Sequence, residues 1–118
     1  SLKADMYSIK SFLSKTRNAY EVQEKQLNTL IKHMEKSTYD VILAIDLNNT
    51  PNSYVYRSLK NRYNDVFDLI GSGFGSTYMF NFLPFRIDYI FVSKTISPKK
   101  FKTHEGKFSD HSPISAFF

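Results

Sequence analysis

Apolar positions fall into two rhythms along this chain. From about Thr16 to Lys36, the residues Ala19, Val22, Leu27, Leu30, Ile31 and Met34 recur at helical spacing among Lys, Glu, Gln and Asn. That spacing predicts an amphipathic helix with one packed face, a structural helix covering a sheet. Ser14 or Thr16 stands where an N-cap is needed, and Ser8 to Leu13 reads as an earlier turn or a separate short helix. After the helix the rhythm changes. Val41 to Ile45 is a continuous apolar run ended by Asp46, and a run without alternation is what a strand buried on both faces requires. Asp46 then sits at the C-terminal edge of that strand.

Asn48, Asn49, Thr50, Pro51 and Asn52 form a polar turn, and Ser53 to Lys60 continues as a short helix with Val55 and Leu59 inward. Val66 to Ile70 is another apolar stretch, followed by a loop punctuated by Gly71, Gly73 and Gly75. Further strands are expected at Thr77 to Phe80, Ile87 to Val92, Phe101 to His104 and Ile114 to Phe118. The order is helix, strand, helix, then strands joined by short loops. It predicts a mixed α/β (α+β) layered sandwich whose second part pairs mostly antiparallel, with flanking helices. No internal repeat, low-complexity segment or linker interrupts residues 1–118, so they read as a single domain.

Composition sharpens this picture. The chain is 42% hydrophobic with four glycines and four prolines among 118 residues, which excludes a disordered or fibrous class and allows a buried core. Eleven Phe and eight Tyr, with no Trp, add to the strand signal. A formal charge of +5 favours anionic partners, nucleic acid or another phosphate compound, only modestly. The absence of cysteine excludes a disulfide framework and a thiolate metal site and leaves the compartment open. No apolar run reaches the roughly 20 residues of a membrane span, and no signal peptide is apparent. The first residue is Ser1 where a Met would begin a complete chain, and the expectation is a cut inside a longer protein.

Polar clusters lie at strand ends or in adjoining loops: Asp46 with Asn48, Arg86 with Asp88, Asp110 with His111, and the lysines at 94, 99, 100, 102 and 107. Carboxylates, an amide and an imidazole gathered on one rim of a sheet are the parts needed to activate a water and stabilise a phosphoryl transition state, alongside a hard cation. Each cluster also has an ordinary reading. Asp-x-Asn after a strand forms turns and caps, and Ser-Asp-His before a proline fits a plain turn. Lysines blunt an exposed strand, or attract a phosphate-bearing substrate. Asp88 is less ordinary, because an unpaired charge among Ile87, Tyr89, Ile90, Phe91 and Val92 is costly. Its partner is either Arg86, two residues away on the same face, or the imidazole of His111. The Gly71 to Gly75 loop lacks the Lys-Ser/Thr ending of a P-loop and reads as a flexible connection.

Val41-Ile-Leu-Ala-Ile-Asp46-Leu-Asn48-Asn-Thr-Pro51, then Arg86-Ile-Asp88-Tyr-Ile-Phe91, then Ser109-Asp110-His111-Ser-Pro113-Ile occur in that order. They resemble the last three signature motifs of the endonuclease/exonuclease/phosphatase superfamily, the Gly-Asp-Phe-Asn, Arg-Ile-Asp-Tyr and Ser-Asp-His blocks. The first block differs in having Ala44-Ile45 where glycines are usual and Leu47 for the aromatic. The resemblance covers nearly all the chain from the Thr16 helix onward. It implies the C-terminal half of a four-layer αββα sandwich and Mg²⁺-dependent (or Mn²⁺-dependent) hydrolysis of phosphate esters by a nuclease or phosphatase. Carried over, Asp46 orients or deprotonates the attacking water, and Asn48 holds that water or a phosphate oxygen. Asp110 lies in the metal site, directly or through water. His111 donates to a nonbridging phosphate oxygen with its ring fixed by Asp88.

Members of that superfamily are about twice this length as a domain-size expectation. Their N-terminal half supplies an Asn after the first strand, a Glu that is the principal Mg²⁺ ligand, and a Tyr or His. Glu21, Glu24 and Glu35 all fall on the helix, so none takes that role. The implied consequences are a chain inactive by itself and a substrate that is a phosphate ester, nucleic acid among the candidates. A homodimer covering the open face is also expected. The spacing Gly-x-Gly-x-Gly-Ser-Thr-Tyr-x-Phe before Pro-x-Arg-Ile-Asp-Tyr is most similar to bacterial members with N-terminal membrane segments, which implies a tethered parent although this segment itself makes no membrane contact. The alternative reading is a non-catalytic nucleic-acid or phosphate-binding module, or a self-associating structural piece.

Overall fold

The computed structural model describes residues 2–118, in two units that divide after Lys36. The first unit is a helix, α1 (Leu2–Glu35). It starts well before Thr16 and has no break at Ser8 to Leu13, so Ser14 and Thr16 lie inside it and do not cap it. The reason is compositional: the first helix-breaking residue in the sequence is Pro51, and the early residues are mostly good helix formers. Leu27, Ile31 and Met34 form its buried stripe, whereas Met6, Ile9, Leu13, Tyr20 and Val22 are exposed. An exposed Arg17–Glu21 pair at 3.1 Å adds the usual small i,i+4 contribution.

The second unit, Ser37–Phe118, holds the sheets. Its elements are β1 (Ile42–Asp46), α2 (Tyr54–Lys60), β2 (Asn64–Asp65), α3 (Val66–Ile70), β3 (Tyr78–Phe80), β4 (Leu83–Phe85), β5 (Asp88–Val92), β6 (Lys100–Thr103) and β7 (Ile114–Phe117). The main sheet has the order β1-β5-β2, and β3-β4 and β6-β7 form two further hairpin sheets. Every pair is antiparallel. Helices with several antiparallel sheets make this an α+β fold.

β5, with Tyr89 to Val92 all buried, is the strand enclosed on both faces. The same expectation for Val41 to Ile45 is not met. Among the described residues β1 has only β5 beside it, its burial alternates, and Ile42 is 54% exposed. An apolar run cannot tell whether neighbours will be present to enclose it, and here one edge and one face of β1 stay open.

Opposed residues in an antiparallel pair share a face. Leu43, Ile45, Tyr89 and Phe91 therefore lie on one side of the sheet, with Asp65. There Tyr56 of α2 packs its ring 5.1 Å from that of Tyr89 and 5.7 Å from that of Phe91. On the other side Ile90 and Val92 join Val66 in a cluster closed by Ile96, Phe101, Ile114 and Ala116. The second unit thus layers a helix, a sheet and the β6-β7 hairpin. Helix α2 forms where expected with Val55 and Leu59 buried, and Ser53 stands just before it as its cap, the hydroxyl accepting from the Tyr56 amide at 3.2 Å.

Asp65 ends β2 and caps α3, its Oδ1 accepting from the Phe67 amide at 3.1 Å. Its Oδ2 receives Arg86 Nη1 at 2.6 Å and the Tyr56 hydroxyl at 2.8 Å. The Arg86 guanidinium lies 4.6 Å from the Phe67 ring centre and 4.9 Å from that of Tyr89. This ion pair is enclosed, with Arg86 9% and Asp65 0% exposed. Two glycines fold the following loop around Phe67: at Gly71 and Gly75 a Cβ would overlap its ring, and Gly75 also has φ +63°. At the tip of β3-β4, Asn81 and Phe82 both take positive φ, 47° and 65°, and Phe82 is 95% exposed.

Removing one partner of an enclosed ion pair strands the other charge. Arg86→Ala is therefore expected to lower unfolding free energy by about 3–5 kcal/mol, read from urea denaturation. A loss near that of an exposed pair, under about 1 kcal/mol, would show that the pair does not anchor the sheet.

Candidate active site

The register of β1 against β5 places Asp46 directly opposite Asp88 on one face. Like charges in a cross-strand pair repel, so this pairing needs a compensating group. His111 supplies it. Its Nδ1 is 2.8 Å from Asp88 Oδ2 and its Nε2 is 3.9 Å from Asp46 Oδ2. The ligand-type atoms of Asp46, Asp88 and His111 all lie within 4.8 Å of one another.

Backbone contacts deliver the imidazole. Ser112 N–H donates to the Thr77 carbonyl at 2.7 Å, and Tyr78 forms an isolated antiparallel bridge with His111, their rings 5.1 Å apart. The Ser109 hydroxyl accepts from the His111 amide at 3.1 Å, so Ser-Asp-His is both a turn and the carrier of the ring. A carboxylate can only accept, so Nδ1 carries the proton toward Asp88 and Nε2 is the nitrogen left for another partner. The His111 side chain is 29% exposed, which keeps it within reach of a ligand.

Asp46 Oδ1 accepts from the Asn48 amide at 2.8 Å, and Asn48 has φ 50°, a left-handed conformation that Asn tolerates. Asp-x-Asn is thus a turn that keeps both side chains at the exposed end of β1. Asp110 is exposed beside the ring, its Oδ1 receiving the Ser109 hydroxyl at 3.3 Å. It is not one of the three residues whose ligand atoms converge. Asp88 takes the imidazole, while Arg86, instead of pairing with Asp88, turns to Asp65 and Asp68. Arg86 lies outside β5 and bonds to the end of a two-residue strand, a partner with no local signature. Lys100 and Lys102 are the exposed positions of β6, as a solvated edge requires. Thr77 and Tyr78, which between them contact both segments of the site, close the glycine-punctuated spacing before β4 but were not among the expected site residues.

The donor set defines what these residues hold. Mg²⁺ asks for about six oxygen ligands in near-octahedral array. Asp46, Asp88 and His111 offer two carboxylates and an imidazole, and one Asp88 oxygen is engaged by the ring at 2.8 Å. These three do not form a magnesium cage. They form a hydrogen-bonded group suited to orienting and moving a proton.

The model of the Endonuclease/Exonuclease/phosphatase family matches residues 14–111 of the 118-residue chain. The chain belongs to that family. Searches of curated proteins and of solved structures return no match. The family is generally one of metal-dependent phosphoesterases and nucleases, hydrolases of phosphate esters that are typically magnesium-dependent. Among the described residues no helix is long and apolar enough to cross a membrane.

The hydrogen bond that His111 donates to Asp88 is the leading reason that the His111 pKa is raised above its ordinary 6.5, with desolvation opposing and the Asp88, Asp46 and Asp110 charges adding to it. A raised pKa means that the folded state favours the imidazolium. The stability it contributes is fully present below pH 6.5 and is lost as pH rises through the folded-state value. Asp88→Asn is expected to bring the His111 midpoint down toward 6.5 in an NMR titration; an unchanged midpoint would remove Asp88 as the cause.

Proposed function

We propose that this chain supplies the water-activating and phosphate-contacting side of a phosphoesterase active site. The observation that carries the reading is the Asp46, His111 and Asp88 arrangement at the sheet rim, with Nδ1 bound to Asp88 at 2.8 Å and Nε2 left toward Asp46 at 3.9 Å. With Nδ1–H held by Asp88, a neutral ring presents a lone pair at Nε2 and an imidazolium presents a proton there. The raised His111 pKa enlarges the imidazolium fraction near neutrality, which suits donation to a nonbridging phosphate oxygen. Asp46, half-open to solvent, takes the role of orienting or deprotonating the attacking water, and Asn48 that of holding this water or a phosphate oxygen. A cation, when bound, would draw charge from phosphate oxygens. For Mg²⁺, or Mn²⁺, Asp110 is the ligand offered here, directly or through water, and the principal carboxylate comes from sequence outside these residues.

The open edge and face of β1 support the same division of labour: Ile42 and Ala44 are exposed beside the site, where further strands of a two-sheet sandwich would lie. We infer that residues 1–118 belong to a longer phosphoesterase domain and are inactive alone on DNA, RNA, phosphoinositides and small phosphomonoesters. Full-length protein carrying this sequence is expected to hydrolyse at least one of these with Mg²⁺. His111→Ala in that protein should lower the rate by about 10²–10⁴-fold. An unchanged rate would sink the assignment of roles. Strong salt-dependent binding by the chain, with no catalysis in the full-length protein, would instead favour a phosphate-binding module.

An unpaired strand edge is also a template for association. The isolated chain is expected to form a concentration-dependent dimer by light scattering, reversed by Ile42→Lys. A monomer at high concentration would show that the edge is covered.

A further inference from the structure

Asp88 and His111 are 23 residues apart in sequence, yet their side chains meet at 2.8 Å. A contact that close fixes where two backbone segments stand, and one residue outside both motif blocks touches each of them. Thr77 is 1% exposed. Its amide donates to the Phe85 carbonyl at 2.9 Å, and its Oγ1 accepts from the amides of Ile87 at 3.1 Å and Asp88 at 3.2 Å. Its carbonyl accepts from the Ser112 amide at 2.7 Å. Through these bonds a single residue is tied to the amide of the residue bearing the carboxylate and to the residue following the imidazole. The next residue, Tyr78, completes the tie by bridging to His111.

The chemistry of the side chain matters as much as its place. Buried amides need acceptors, and the Thr77 hydroxyl is an acceptor for two of them at the entry to β5. Valine has nearly the same shape and no acceptor, so it would fill the space and leave the two donors without this partner. Serine keeps the oxygen and loses only a methyl group. Packing and positioning can therefore be separated by substitution.

We propose that Thr77 is the positioning residue of the Asp88–His111 pair, its hydroxyl holding the Asp88 backbone and its carbonyl the His111 segment so that Nδ1 and the carboxylate meet. The geometric claim stands on these contacts; its effect on rate rests on the phosphoesterase reading above.

The test uses the ¹⁵N-labelled 118-residue chain with Thr77→Val, Thr77→Ala and Thr77→Ser, reading the His111 ring ¹⁵N shifts where the ring is neutral. The original chain and Thr77→Ser are expected to show Nδ1-protonated imidazole. Folded Thr77→Val and Thr77→Ala should shift toward the Nε2-protonated form. Ring shifts unchanged in a folded variant lacking the hydroxyl would overturn the proposal, as would an equal shift in Thr77→Ser. If Thr77→Val does not fold, the Ala and Ser comparison decides. If neither hydroxyl-free variant folds while Thr77→Ser does, Thr77 is a structural residue and the positioning role falls. In full-length protein, variants with a shifted ring should lose kcat by about 10²-fold with KM retained, the scale of an approximately 1 Å misplacement. A shifted ring with unchanged kcat would leave the positioning intact and reject the catalytic role of His111.

Discussion

The pairing of β1 with β5 sets two carboxylates, Asp46 and Asp88, opposite each other on one face of the sheet. Side chains alternate along a strand, so a slip of one residue would send both to the other face and bring the apolar partners out with them. The register is fixed on both sides of β5. Tyr89 and Phe91 are committed to the Tyr56 ring, and Ile90 and Val92 to the cluster beneath the β6-β7 hairpin. The repulsion between the carboxylates is thus imposed by apolar packing, and the His111 imidazole is the group that relieves it.

The two sides of the sheet manage charge by different means. On the α2 side, Arg86 and Asp65 are almost completely enclosed and joined by short contacts and aromatic rings, an arrangement whose value lies in not being broken. On the other side, Asp46, Asp88 and His111 are partly open, linked by one short contact and one at 3.9 Å. A fixed enclosed pair holds the strand while the open group remains able to exchange protons. Arg-Ile-Asp encodes both: Arg86 serves the anchor, and Asp88 serves the rim.

Much of this was legible in the sequence where the signal is local. The short helix after Asn52 with Val55 and Leu59 inward, and the strand through Tyr89 to Val92, could be read from neighbouring positions, while Asp46, Asn48, Asp88, Asp110 and His111 were singled out by the order of their motifs. Exposure of β1 could not, since the run Val41 to Ile45 is the same whether or not other strands flank it. Val66 to Ile70 is apolar at strand length but forms a helical turn because Asp65 caps it. The partner of Arg86 was hidden in a two-residue strand, and the chosen pairing of Asp88 depended on a fold-level meeting across 23 residues. The tie of Thr77 to the site is visible only from its hydrogen bonds. The convergence of Asp46, Asp88 and His111 was foreseeable as an expectation of motif order, but the place of Asp110 outside that trio was not.

Asp46 and Asp88 are separated by 88 − 46 = 42 positions and joined only when β5 closes on β1. Such pairings are high in contact order: the entropy of closing the intervening chain is lost before the strands gain anything from meeting. No local segment can assemble the carboxylate pair in advance. The site is therefore born with the folding transition of the Ser37–Phe118 unit, and a partly folded chain, however rich in helix α1, carries the residues without the chemistry.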